Sequence, residues 1–128
     1  MQCEAARPLH IPSAKCTYCD CEKQRLQHLV ITCPAVKSLR GDISKHWVRV
    51  PTDEEWFFGS HENKYINFIA LELLFYVHRA NWAKKPITRE AFIAKMEYTE
   101  KIEADIATRK NKLFDHLEHW ASVKALLA

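Results

Sequence analysis

Four residues near the start of the chain have the types and spacing to hold a metal ion: Cys16-x2-Cys19-x8-His28-x4-Cys33. Zinc takes four soft or borderline ligands in a tetrahedron, and a Cys-x2-Cys turn supplies two thiolates from one chain reversal. The gap before the histidine predicts a helix over about 22–32, with His28 projecting from its second turn. Pro34 disfavours helical geometry at Cys33, so the chain turns out of that helix and brings a fourth ligand to the same point. A closed Cys3His set leaves no open coordination position, so the expected Zn2+ is structural and not a catalytic Lewis acid. Cys21 is an alternative to Cys19 in the set, and Cys3 lies too far away to be assigned. Packing of the same cysteines as small hydrophobes is the competing reading. Disulfides fit less well, because the five cysteines are an odd count and residues 1–11 hold no apolar signal core.

Around this cluster sit Lys15, Lys23, Arg25, Lys37, Arg40, Lys45 and Arg49, with Tyr18 and Trp47 among them. Basic residues interleaved with aromatics suit phosphate contacts and base stacking, so this set is the candidate interface for RNA or single-stranded DNA. The charge distribution points the same way. Residues 1–51 carry eight Lys/Arg against four Asp/Glu, a net +4, and residues 52–128 carry eleven against twelve, a net −1. The competing reading is a solvated charged face with Trp47 in the core. His116 and His119, beside Asp115 and Glu118, are expected on an exposed helix face. Glu97, Glu100, Glu103 and Asp105 read as helix solvation, partnered by Lys101 and Arg109. No Gly-rich phosphate loop, Gly-x-Ser-x-Gly elbow or framed carboxylate pair is present, so nothing predicts an active site or a small-molecule substrate.

The elements that must position these residues follow from composition and periodicity. The chain has 128 residues, 48% hydrophobic and 27% charged, which is enough for one real core. Two glycines and five prolines are too few for the turns of an all-β sandwich or barrel. No apolar run approaches the roughly eighteen residues of a spanning helix, so the expectation is an intracellular protein, nuclear or cytoplasmic, neither secreted nor in a membrane. The expected fold is all-α: a small Cys3His zinc knuckle followed by a helical hairpin or bundle. Residues 1–50 would form the knuckle segment with a basic helix, and 51–128 a helical C-terminal domain. Pro34 opens a helix over about 35–46. Thr52 with Glu55 makes a capping box for a short helix ending near Gly59. Residues 62–84 are apolar nearly all round and predict a central helix covered on more than one face. Thr88 caps a last helix over about 89–120, antiparallel to it, striped by Phe92, Met96, Thr99, Ile102, Ile106, Leu113, Leu117 and Trp120.

Cys16-x2-Cys19-x8-His28-Leu29-x3-Cys33-Pro34, followed by a short helix, resembles the zinc-knuckle region after the polymerase domain of non-LTR (LINE-type) retrotransposon reverse transcriptases. The rest resembles the extreme C-terminus of those polyproteins. It has an apolar helix, the basic link Lys84-Lys85-Pro86 and Phe92. A helix then carries Glu97, Glu103-Ala104-Asp105-Ile106-Ala107 and Lys110-Asn111-Lys112, and closes on Trp120. The resemblance covers roughly residues 15–120. The chain departs from the family at Gln24 and Arg25, where an acidic residue and a threonine are common, and at Leu39 and Arg40, where an aromatic is common. Polymerase and endonuclease motifs are absent, so the resemblance implies a non-catalytic C-terminal fragment of such a polyprotein. Its implied role is to hold RNA template or target DNA, with Lys and Arg on phosphates and the zinc knuckle fixing the backbone that presents them. The missing polymerase domain is a second implied partner. The alternative is a zinc-stabilised helical protein-interaction module without nucleic-acid binding, which the very apolar 62–84 helix favours.

Overall fold

The computed structural model describes Cys16, Tyr18, Cys19, residues 28–59 and residues 63–128. These contain one π-helical turn, His28–Thr32, and five α-helices: α1 Pro34–Ser44, α2 Asp53–Phe58, α3 Lys64–Trp82, α4 Arg89–Arg109 and α5 Leu113–Leu127. The described residues contain no strand, and the fold is all-α, with the Cys/His cluster ahead of the helices. None of the described helices is long and apolar enough to cross a membrane.

Local sequence explains most helix starts. Cys33 is extended at φ −66°, ψ 122°, as a residue before proline should be, and Pro34 opens α1. Thr52 and Glu55 form the capping box of α2, each side chain bonded to the other's backbone N–H. Asn63 caps α3 and Thr88 caps α4 through their side-chain oxygens. Of the expected 22–32 helix, residues 22–27 lie outside the described residues, and 28–32 form the π turn, closed by Cys33 N–H on His28 C=O at 2.9 Å.

The single long helix over 89–120 is corrected to two. Asn111 adopts a left-handed φ of 57°, Lys112 N–H reaches Ala107 C=O at 2.8 Å, and Asn111 N–H reaches Thr108 C=O at 3.2 Å. This is a Schellman stop, and asparagine tolerates its left-handed position. The break changes which face is buried. Phe92 and Met96 of α4 and His116, Trp120 and Val123 of α5 enter the core, whereas Ile102, Ile106, Leu113 and Leu117 of the expected stripe are exposed. Likewise α3 buries Ile69, Ala70, Leu73 and Val77 but leaves Leu71, Phe75 and Trp82 exposed, so it is not covered on every side.

One core cluster runs from Cys16 and Cys33 through Val36, Leu39 and Ile43 of α1 to Trp56, Ile69, Phe92 and Trp120. Residues from both sides of position 51 therefore share it. Trp47 stacks on Trp56 at 5.7 Å and donates its indole N–H to Leu126 C=O at 2.7 Å, tying the end of α1 to α5. Trp120 donates to Glu103 at 3.0 Å, which fixes α5 on α4.

Candidate metal centre

Cys16 and Cys19 flank a short turn, His28 begins the π turn, and Cys33 sits between that turn and α1. Their four ligand atoms all lie within 4.8 Å of one another. Cys16 Sγ is 3.9 Å from Cys33 Sγ, and Cys19 Sγ is 3.3 Å from His28 Nε2. Zinc bonded to sulfur at about 2.3 Å would set tetrahedral sulfurs about 3.8 Å apart, so the donors fit the ion. The Cys16 and Cys33 sulfurs are far beyond the roughly 2.05 Å of a disulfide, and none of the three cysteines is disulfide-bonded among the described residues. Cys16 and Cys33 are almost wholly buried, at 1% and 0% exposure, while Cys19 and His28 are half-buried.

The π turn does more than deliver His28. Thr32 Oγ1 donates to His28 C=O at 3.1 Å and lies 2.6 Å from His28 Nδ1. With its proton committed to the carbonyl, the hydroxyl accepts from Nδ1–H, and the Nε2 lone pair is left facing the thiols. That is the tautomer a metal needs. The thiols are also coupled without an ion. The contact with Cys33 and then burial push the Cys16 thiol up to about 12, while the same contact, helped by the Val36 and Ala35 amides against burial, holds the Cys33 thiol below its ordinary value. The two buried sulfurs are thus in contact, and metal binding would displace the protons they carry.

Two contacts fasten this segment to the helices, and neither was anticipated from sequence. Arg40 is 4% exposed; it donates to Ile31 C=O at 3.1 Å and to Asp53 at 3.0 Å, with its guanidinium 5.8 Å from the Trp56 ring centroid. Tyr18 donates to Lys85 C=O at 2.7 Å, joining the Cys16–Cys19 turn to the α3–α4 link. Burial raises the Tyr18 hydroxyl to about 12, so it remains a donor throughout the physiological range.

The candidate nucleic-acid residues fare unequally. Arg40 is corrected: its charge is turned inward to Asp53 and away from solvent phosphate. Arg49 pairs with Glu55 at 3.0 Å, and Lys37 lies 3.6 Å from Asp53 while remaining half-exposed. Lys45 is exposed at the end of α1. Lys15, Lys23, Arg25 and the alternative ligand Cys21 lie outside the described residues, as does Cys3. Trp47 is half-buried in the core, not free for stacking. His116 and His119 also depart from expectation. His116 is 8% exposed, and His119 packs edge-on to Phe68 and Trp120. No family model, curated protein or solved structure matches the chain.

Proposed function

We propose that the protein is a zinc-stabilised, non-catalytic binding module of the kind found at the C-terminus of LINE-type reverse transcriptases, with RNA or single-stranded DNA as its partner. The carrying observation is the closed Cys16, Cys19, His28, Cys33 set, its imidazole already presenting Nε2 to the thiols. Zinc held there would cross-link the turn, the π turn and the start of α1, and all four of its positions would be filled by protein. The resemblance in motif order along residues 15–120 supports the retroelement assignment. Among the described cations of the knuckle half, Lys45 is exposed, and Lys37 stays half-exposed beside Asp53 at 3.6 Å, within reach of a competing phosphate.

Fluorescence anisotropy with a single-stranded oligonucleotide over a salt series tests the reading. Binding is expected to fall steeply with salt, and Lys37→Ala with Lys45→Ala should make the slope shallower by about 1.4. A second reading, docking to a protein such as the missing polymerase domain, draws on one observation. Tyr98, Ile102, Ile106, Leu113 and Phe114 are exposed along α4 and α5, while Arg40 and Arg49 are paired internally. Folded, zinc-loaded protein that ignores the oligonucleotide at low salt would favour it.

A further inference from the structure

Away from the metal centre, a cavity of about 390 Å³ opens where α3 ends and α4 begins, lined by Tyr76, Arg79, Ala83, Lys85, Pro86 and Lys95 among others. That volume lies within the range of ligand pockets, about 300–1,000 Å³. Its apolar lining is alanine, proline and the Tyr76 ring, and its charged groups are all cations. Lys95 is neutralised by Glu72 at 2.7 Å. Arg79 and Lys85 have no carboxylate partner among the described residues, which leaves two uncompensated positive charges at the rim.

The walls are held in place before any ligand arrives. The link closes α3 through Lys85 N–H on Ala80 C=O at 2.9 Å, with Lys84 left-handed at φ 55°. Thr88 N–H donates to the Tyr76 hydroxyl at 3.2 Å, and Tyr18 donates to Lys85 C=O from the Cys16–Cys19 turn. The backbone carrying Lys85 is thus gripped from α3 and from the cluster side. A rigid apolar lining with unpaired cations at its mouth suits an anion attached to a flat apolar group.

We infer that this cavity is a subsite for one nucleotide of a single strand, with Arg79 and Lys85 on its phosphodiester and the alanine–proline lining against its base. The inference rests on the nucleic-acid reading above, but locates a contact outside the knuckle half, on the −1 side of the charge split. In zinc-loaded full-length protein, Arg79→Gln with Lys85→Gln should weaken binding of a ten-nucleotide oligouridylate roughly tenfold at about 0.1 M salt. The salt slope should become shallower by about 0.7, the value for one neutralised phosphate on a single strand. Arg79→Lys with Lys85→Arg should restore both, since the charges return and the Lys85 carbonyl is untouched. Unchanged affinity in the glutamine variant, with a loss in Lys37→Ala/Lys45→Ala, would overturn the subsite and leave the nucleic-acid reading intact. Absence of binding by the unaltered protein at low salt would overturn both.

Discussion

Thr32 decides which nitrogen of His28 faces the thiols, because its hydroxyl gives its proton to the His28 carbonyl and takes one from Nδ1. Thr32→Val keeps the shape and removes that anchor. Metal affinity is expected to drop about tenfold or more, measured by competition with a chromophoric chelator, while the fold is retained. Equal affinity in the variant would remove the orienting role. The Cys/His cluster itself was legible in the sequence, because cysteine and histidine at these spacings have few other uses. Thr32 was not, since a threonine four residues after a histidine means nothing until the ring's orientation is known. Arg40 failed in the opposite direction. Its type suits phosphate, but α2 brings Asp53 to it, and a contact thirteen residues apart leaves no local mark. Burial opposes ionisation of Asp53, yet Arg40 and then Lys37 prevail and hold its carboxyl below the ordinary 3.8. A depressed carboxylate stabilises the fold above its unfolded value and loses that contribution as pH falls through the folded one. Asp53→Asn should therefore be less stable than the unaltered protein in urea at pH 7, with the gap closing below about pH 4. Metal loss in acid affects both proteins alike, so a gap independent of pH would contradict the ion pair.

Helix starts were readable because each is a local device: Pro34 before α1, the Thr52–Glu55 box, the Thr88 cap. Helix stops were harder. The α4–α5 break was hidden because apolar residues resume at steps of three or four beyond Asn111, as if one stripe continued. Its signal was the asparagine itself, a residue suited to the left-handed position after a helix. The stop of α3 uses the same six-to-one hydrogen bond but places Lys84 at φ 55°, where a β-carbon is unfavourable. The left-handed cost is roughly 1–2 kcal/mol, and glycine gives part of it back through unfolded-state entropy. Lys84→Gly is therefore expected to stabilise the protein by about 0.5–1 kcal/mol in urea titration. A loss of stability would mean that the Lys84 side chain does something its exposed position does not reveal.

Across the whole molecule, the all-α class was legible from composition and periodicity, whereas the exposed faces of α3, α4 and α5 were not. An apolar residue on a helix reads as buried until the neighbouring helices are placed, and Leu117 of the expected stripe, at 56% exposure, shows how far that inference can miss. The joining of the two halves was equally invisible, since it rests on Trp47 with Leu126 and Tyr18 with Lys85, pairs far apart in the chain. Cys16 and Cys33 contribute to the same core as Trp120, so the Cys/His cluster is one end of the packing and not an appendage. A structural zinc site can contribute on the order of 10 kcal/mol to folding. Cys16, Cys19, His28 and Cys33 are proposed to hold one ion together. Native mass spectrometry of protein purified under reducing conditions tests it most directly. One zinc per chain is expected, lost in His28→Ala and in Cys16→Ser. A folded, unaltered chain at its metal-free mass would contradict it.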